Sequence, residues 1–415
     1  MQDKNTTHST FSQLFQTILS KKIWTRIKSL NPNLDSYVKK LFAPKLIQLI
    51  MLAHLEQKKS LQEISFSLSN EHLSQSLQLE SISASQLSRR LQDLPTNIAD
   101  QLLGEHVRQV GINTSMEAVR QTIGRLNLID SSTVSLAFTL YPWAKFRKTK
   151  SGIKLHLGLN FYKEPIPVNG LITEAKKNDK TQMDKLVVYD KDVINVFDRG
   201  YVDYEKFDEY CEAGIRFVTR LKENAYTQEI KAAYISEDSP IEEDLIVILG
   251  KNQTKMKHEL RLVVTKDTQG NPVMILTNVF DKSAEEIGSI YRNRWKIELF
   301  FKWIKQHLQI KHLYGQSPAA VVNQIMIALI TYCALMLMKL KSGYQGTLLQ
   351  VTRILRECLY EEFSVFVRKI HCKYGKSTKG RRRLKHEILF EATEKQVEAG
   401  EFYLLNDLTY DPVIL

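Results

Sequence analysis

LVVYDKDVINVFDRGY, residues 186–201, is the stretch whose reading decides the fold. Val193 to Phe197 is a short apolar run that stops on Asp198, and a helical segment, YEKFDEYCEAGI, and a second extended run, IRFVTRLK (215–222), follow it. Strand, helix, strand predicts an α/β sheet with Asp198 at the end of its strand. Upstream the pattern holds strands alone. LNLIDSSTVSL is apolar from Leu126 up to Asp130, GIKLHLGLNFY (152–162) alternates with period two, and PVNGLITEAK (167–176) is a third extended run. Asp190 and Asp192, just ahead of the apolar run, read as turn residues. His156, beside Lys154 on the alternating strand, reads as structural.

Downstream, residues 222–282 read as mostly β: EEDLIVILG, HELRLVVTKD and VMILTNVF, with a turn at Gln269-Gly270-Asn271. This segment is read as an inserted sheet. A Ser-x-x-Glu capping box at Ser283 and Glu286 then opens a helix. YRNRWKIELFFKWIK (291–305) has no Pro or Gly, and at about 100° per residue it gathers Tyr291, Arg294, Glu298 and Lys305 on a stripe roughly 60° wide. Ile297, Leu299, Phe300, Trp303 and Ile304 take the opposite side, and Trp295 borders the stripe, open between packing in the core and stacking on a bound partner. Ile325 to Met338 reads as a buried helix after Ser317-Pro318, shorter than the roughly 20 residues a bilayer needs. Residues 347–370 continue the helical pattern.

The first 120 or so residues read as helical, including Phe11 to Leu19, Lys45 to Leu55 behind Pro44, and the stretch 60–69. In SISASQLSRRLQDL (81–94), Ser83 is an N-cap candidate and Gln86, Arg89 and Arg90 fall on the exposed side. Such a helix suits a DNA major groove and equally suits ordinary packing with solvated arginines, and the two readings stay open here. Pro95 ends that segment, and another helix runs to about Val110.

Lys and Arg number 58 against 46 Asp and Glu, giving +12 and a pI near 9.2. An excess of that size favours a polyanionic partner, nucleic acid ahead of an anionic membrane surface. Four scattered cysteines with no CxxC pair argue against a disulfide framework or zinc cluster and fit a reducing cytoplasm. MQDKNTTHSTFSQL has no signal-peptide core, and KYGKSTKGRRRLKHE (373–387) is read as a solvated basic run.

Three carboxylates have comparable settings: Asp130 and Asp198 at strand ends, 68 residues apart, and Glu298 on a helix 100 residues further on. Gathered together they would repel one another and call for cations, for which Mg²⁺ is the natural hard, oxygen-seeking choice. Two such ions about 3.5–4 Å apart support in-line attack at phosphorus.

The order Tyr-x2-Arg-x3-Glu-x6-Lys, with Asp130 in LIDSST and Asp198 in FDRGY, resembles the DDE transposases of the insertion-sequence-four family. The resemblance spans roughly residues 126–310, and more loosely the N-terminal helices. It implies an α/β fold in which a ribonuclease-H-like core (121–221 and 283–370) is interrupted by a β insertion (222–282). A helical DNA-binding domain (1–120) would precede it, the second core part would be helical, and a basic tail (371–415) would follow. It further implies that Asp130, Asp198 and Glu298 bind two Mg²⁺ ions, with Mn²⁺ able to substitute. They would cut a strand at the element's end and join the freed 3′-hydroxyl to target DNA.

By the same resemblance Tyr291, Arg294 and Lys305 contact DNA-end phosphates. The N-terminal helices, with Arg89 and Arg90, would read the terminal inverted repeats, and a homodimer would synapse the two ends in the bacterial cytoplasm, at the nucleoid, with no membrane partner. Some relatives hold a flipped base with a tryptophan in the inserted sheet. No Trp lies in 222–282, where Tyr226, Tyr234 and Phe280 are the candidate substitutes. Arg199 is left open between a DNA contact and a local ion pair. The alternatives are a metal nuclease on the same fold without joining activity and a domesticated, catalytically silent DNA-binding protein.

Overall fold

The computed structural model describes residues 9–114, 125–147, 150–161, 165–233, 235, 239–266, 270–372 and 392. Tyr234 and the basic run 373–387 lie outside them.

Eight helices come first: α1 (Thr10–Leu14), α2 (Gln16–Leu19), α3 (Lys21–Leu30), α4 (Ala43–Glu56), α5 (Leu61–Ser67), α6 (Glu71–Leu77), α7 (Ala84–Asp93) and α8 (Thr96–Asn113). Their starts follow local chemistry. Ser60, Asn70 and Ser83 each accept a bond from the backbone N–H three residues on, and Gln86 completes a capping box with Ser83. The strands and remaining helices follow: β1 (Arg125–Leu136), β2 (Lys145–Arg147), β3 (Lys150–Phe161), β4 (Pro165–Glu174), α9 (Met183–Leu186), β5 (Val193–Phe197), α10 (Tyr204–Glu212) and β6 (Arg216–Arg220). Beyond these lie β7 (Thr227–Ala232), β8 (Ile241–Leu249), β9 (Leu260–Lys266), β10 (Pro272–Thr277), α11 (Ala284–Arg292), α12 (Trp295–His307), α13 (Pro318–Ser342), α14 (Leu348–Glu357) and α15 (Phe363–His371).

One mixed sheet holds all ten strands, in the order β2-β3-β1-β5-β6-β10-β9-β8-β7, with β4 also on β3. The switch anticipated from the sequence is present: β1, β3 and β4 pair antiparallel, then β1, β5 and β6 pair parallel. Every residue of β5 is buried, as expected of a central parallel strand. Its one polar member, Asn195, accepts from Asn127 of β1 at 2.9 Å and from the Val188 N–H at 2.9 Å, so the pair ties the two strands, while Asn127 Oδ1 stays buried without a partner among the described residues. Residues 222–282 do not form a sheet of their own. β10 pairs antiparallel with β6, so β7–β10 extend the central sheet.

α13 organises the helical half. Ser317 caps it, Pro318 fills its first turn, and Gly343 closes it at φ +67°. The helix has 25 residues and is therefore long and apolar enough to cross a bilayer, so the length argument from the shorter run 325–338 does not hold. What accounts for its composition is burial, since 94% of its apolar window is covered by the protein itself. α8, α7, α4, α14 and α1 pack around it, so the N-terminal helices and α13 share a single core.

The helix read over 291–305 is divided. α11 ends at Arg292 and α12 starts at Trp295, while Asn293 and Arg294 keep right-handed dihedrals. Arg294 N–H reaches Tyr291 O and Ile297 N–H reaches Arg294 O, three-residue steps that tighten the join. Tyr291 and Arg294 thus lie at the end of one helix and the mouth of the next.

Candidate active site

Strand register brings the two aspartates together. Ile129 sits opposite Phe197 in the parallel β1–β5 pair, and Asp130 and Asp198 are the next residues on each chain. Asp198 leaves its strand at that point, as expected. Asp130 does not end its strand, because β1 runs on to Leu136 along β3; what ends there is the pairing with β5. Each carboxylate has its Oδ1 tied by the following N–H, Ser131 to Asp130 at 2.7 Å and Arg199 to Asp198 at 2.7 Å. Backbone geometry therefore fixes both orientations.

Glu298 arrives from α12, one turn after Arg294. The Arg294 Nη1 donates to Glu298 Oε1 at 2.9 Å and to Asp130 Oδ2 at 3.4 Å. Those two oxygens are therefore no further apart than the two bonds laid end to end. Arg294 is 6% exposed, and Tyr291 and Trp295 flank its guanidinium, whose carbon lies 5.7 and 5.0 Å from their ring centroids. Trp295, half-buried, thus lies against the arginine. The Nε of Arg294 is buried with no acceptor among the described residues, a hydrogen bond still to be made.

The electrostatics follow from this crowding. Burial raises the Asp130 carboxyl; Arg294 pulls it down while Glu298 and Asp198 push it up, leaving it at about 7. Burial raises Glu298 as well, against the pull of Arg294 and with Asp198 adding to it. Arg294 is the counter-charge that lets three acids share this corner.

Hard oxygens from two strands and a helix are the donor set a divalent cation takes. Among the described residues no three Asp, Glu, His or Cys are gathered closely enough to hold a metal as they stand, and the cation between Asp130 and Glu298 is Arg294. The donor chemistry fits; seating an ion requires the guanidinium to give up at least one carboxylate.

The other residues singled out in the sequence divide. Lys305 reaches β1, donating to Thr133 O at 3.0 Å. Arg89 is exposed on α7. Arg90 is not a free surface residue: it bonds Asp35 Oδ1 at 2.6 Å and Leu41 O at 3.1 Å, pinning the loop between α3 and α4. Asp190 pairs with Arg125 at 2.8 Å and accepts from the Asp192 N–H at 3.0 Å, a turn as expected. Arg199 is exposed, and so are Phe280 and Tyr226, the latter beneath Lys251 Nζ at 3.8 Å.

A second polar group behind the aspartates was not legible in the sequence. Asp179 accepts from Ser131 Oγ at 2.8 Å and pairs with Lys154 at 3.0 Å, and the buried His156 Nδ1 lies 3.5 Å away. Burial drives that imidazole down to about 4, so it is neutral. Tyr201, from the segment after Asp198, buries its ring beside Phe197. Asp179 sits in the turn-rich KKNDKTQ, where nothing periodic marks it; only the hydroxyl next to Asp130 offered a signal.

Comparison with known proteins places the chain in a family. The transposase DDE domain family matches residues 122–334. The probable transposase for insertion sequence element IS5377 of Geobacillus stearothermophilus is 29% identical over 253 residues, which are 60% of this chain and 66% of that protein. A protein of Sinorhizobium fredii named as transposase y4zB is 31% identical over 58% of this chain and 68% of its own length. One of Synechocystis, named for insertion sequence element IS4SA, is 28% identical over 57% and 67%. A cryo-EM structure of the piggyBac transposase synaptic complex with hairpin DNA superposes with a TM-score of 0.45 at 12% identity, covering 94% of this chain and 85% of that one. With the family's domain matched across half its length, around the corner where Asp130, Arg294 and Glu298 meet, the chain belongs to the DDE-domain transposases.

Proposed function

We propose that this chain cuts DNA at the ends of an insertion sequence and joins the freed 3′-hydroxyl to target DNA, using Asp130, Asp198 and Glu298. One observation carries the reading: a single guanidinium nitrogen bonds acids 168 residues apart in sequence, Asp130 and Glu298, while the register of β1 and β5 sets Asp198 alongside. The order β4-β3-β1-β5-β6, antiparallel and then parallel, supports a ribonuclease-H-like core beneath it.

Divalent cations held by the three carboxylates, Mg²⁺ first and Mn²⁺ in its place, would activate the attacking oxygen and stabilise the leaving one. The chain's own residues supply the rest. Ser131 and Arg199 N–H groups hold one oxygen of each aspartate, and the second oxygen of Asp130 meets Arg294. Arg294, with its spare buried Nε, is placed to turn from a carboxylate to a phosphate oxygen as DNA and cations enter. Tyr291 and Lys305 are further candidates for phosphate contact, and Arg89 for inverted-repeat recognition among the N-terminal helices. Two ends held at once imply a homodimer.

The test uses purified protein, Mg²⁺ and labelled DNA carrying the element's terminal inverted repeats. Joined products are expected from the wild type. Asp130→Asn, Asp198→Asn and Glu298→Gln should each lower cleavage by at least about 10³-fold while keeping end binding. Undiminished cleavage in any of the three removes that residue from the site. Nicks without joining would establish the nuclease alternative, and binding without cleavage the silent one.

A further inference from the structure

The segment that follows Asp130 carries no acid for 33 residues. Residues 131–163 contain Lys145, Arg147, Lys148, Lys150, Lys154 and Lys163 and not one Asp or Glu. The described residues of this stretch form the far end of β1, a turn at 137–140, the short edge strand β2 and β3. The turn is tight, with Leu140 and Tyr141 N–H both bonded to Ala137 O at 3.1 Å. It pushes Phe138 and Leu140 outward, 36% and 47% exposed, and Phe146 on β2 is 38% exposed. Lys145, Arg147 and Lys150 are exposed beside them and make no ion pair with a described residue, and Arg147 lies over the Phe146 ring at 5.2 Å.

The scaffold under this surface is firm. Tyr141 and Ala144 are buried, Ser151 Oγ bonds Tyr141 O at 2.9 Å, and Trp143 Nε1 bonds Gln316 O at 2.7 Å, just ahead of α13. Three large apolar groups are thus held open to solvent by residues that are themselves anchored.

We infer that this hairpin end engages DNA bases that have come unpaired close to the cut, with Phe138, Leu140 and Phe146 against the bases and Lys145, Arg147 and Lys150 on the phosphates. The inference rests on the DNA-cutting reading above. Cations interleaved with exposed apolar side chains are what a single strand takes, since every base has a face to cover and a phosphate beside it. Charges on an edge strand also discourage sheet-to-sheet pairing, but that role needs no exposed Phe138 or Leu140. A second copy docking here through a two-fold axis would set this acid-free surface against itself, cation to cation.

The strand measures the distance. From Asp130 to Leu136 is six steps of about 3.3 Å, roughly 20 Å, or about six nucleotides along a duplex. The contact therefore falls about six base pairs from the scissile phosphate.

The experiment compares the wild type with Phe138→Ser/Leu140→Ser/Phe146→Ser on three end substrates. One is fully paired, and the other two carry a two-base mismatch bubble about six base pairs to one side of the cut or to the other. On paired DNA the triple variant should cleave about tenfold more slowly, and on the bubble at one of the two sides it should match the wild type. Lys145→Ala/Arg147→Ala/Lys150→Ala should lower the slope of log binding constant against log salt by about 2–3. Equal loss on all substrates, no loss at all, an unchanged salt slope, or a change in oligomeric state of the apolar variant in place of the bubble rescue would each overturn the inference. Wild type that binds but does not cleave DNA would instead sink the active-site reading, and the salt slope would still decide whether this surface meets DNA.

Discussion

Arg294→Met is the most searching single perturbation. It removes the positive charge bonded to both Asp130 and Glu298 and leaves the aliphatic bulk in place. Losing one partner of a buried ion pair costs about 3–5 kcal/mol, because the remaining charge has no counterpart. At about 2.1 cal/mol/K of unfolding entropy per residue, a 415-residue chain converts that to a fall of roughly 3–6 °C in Tm. Calorimetry in chelator should show this fall. Added Mg²⁺ should then raise the variant's Tm more than the wild type's, since the ion no longer competes with a guanidinium. At a hundred times Kd the gain is about 2.7 kcal/mol, or roughly 3 °C. Asp130→Asn/Arg294→Met/Glu298→Gln should recover part of the chelator loss and give up the Mg²⁺ response. A single variant as stable as the wild type, or a triple variant no more stable than the single, would refute Arg294 as counter-charge.

Three further predictions concern the scaffold. Asp35→Ala removes the acceptor of both Arg90 and the Ala43 N–H at the start of α4, and should cost about 3 kcal/mol in chemical denaturation; a change under about 1 kcal/mol would dismiss that anchor. His54 and His106 are buried, each bonds a backbone carbonyl through one ring nitrogen, and the other nitrogen has no partner among the described residues. Burial lowers both to about 4 from 6.5, so the unfolded chain binds more protons below pH 6.5. Stability should be unaffected above that pH and should fall as pH drops towards 4, by about 3 kcal/mol per histidine, and His106→Leu should flatten the fall; stability constant from pH 7 to 4.5 would contradict this. Gly250 has φ +81°, and a Cβ there would lie 2.0 Å from Thr254 O, so Gly250→Ala should cost at least about 2 kcal/mol by denaturant midpoint, and a neutral result would mean the turn rearranges freely.

How much of this was legible in the sequence depends on the range of the interactions involved. Asp198 could be read from residues 186–201 because a buried parallel strand writes itself as an apolar run, interrupted here by Asn195, whose end is visible. The Arg294–Glu298 contact is one helical turn and is carried by periodicity alone. What the wheel could not show is which groups face that stripe. Tyr291 and Arg294, on the polar stripe, are both buried, and the arginine meets Asp130 of β1, 164 residues earlier in the chain. Arg90 was misplaced for the same reason, its partner Asp35 being 55 residues away. β8, β9 and β10 were individually readable, whereas the mostly exposed β7 was missed, and the union of these strands with β6 depends on a single antiparallel pairing that no local pattern announces.

The site's place in the fold follows from the sheet. Where β5 stops and β1 continues, the sheet leaves backbone N–H groups at the strand end, and the two aspartates turn back to accept them. Such an edge tolerates carboxylates, but three of them need a cation, and α12 delivers one with the third acid on the same turn. A guanidinium can leave its carboxylates for a phosphate, whereas a buried hydrophobic substitute could not. A site built only for stability would therefore be expected to replace the acids rather than neutralise them. Retaining three acids and an arginine with one donor unused fits a corner that waits for a negatively charged chain and the cations that come with it.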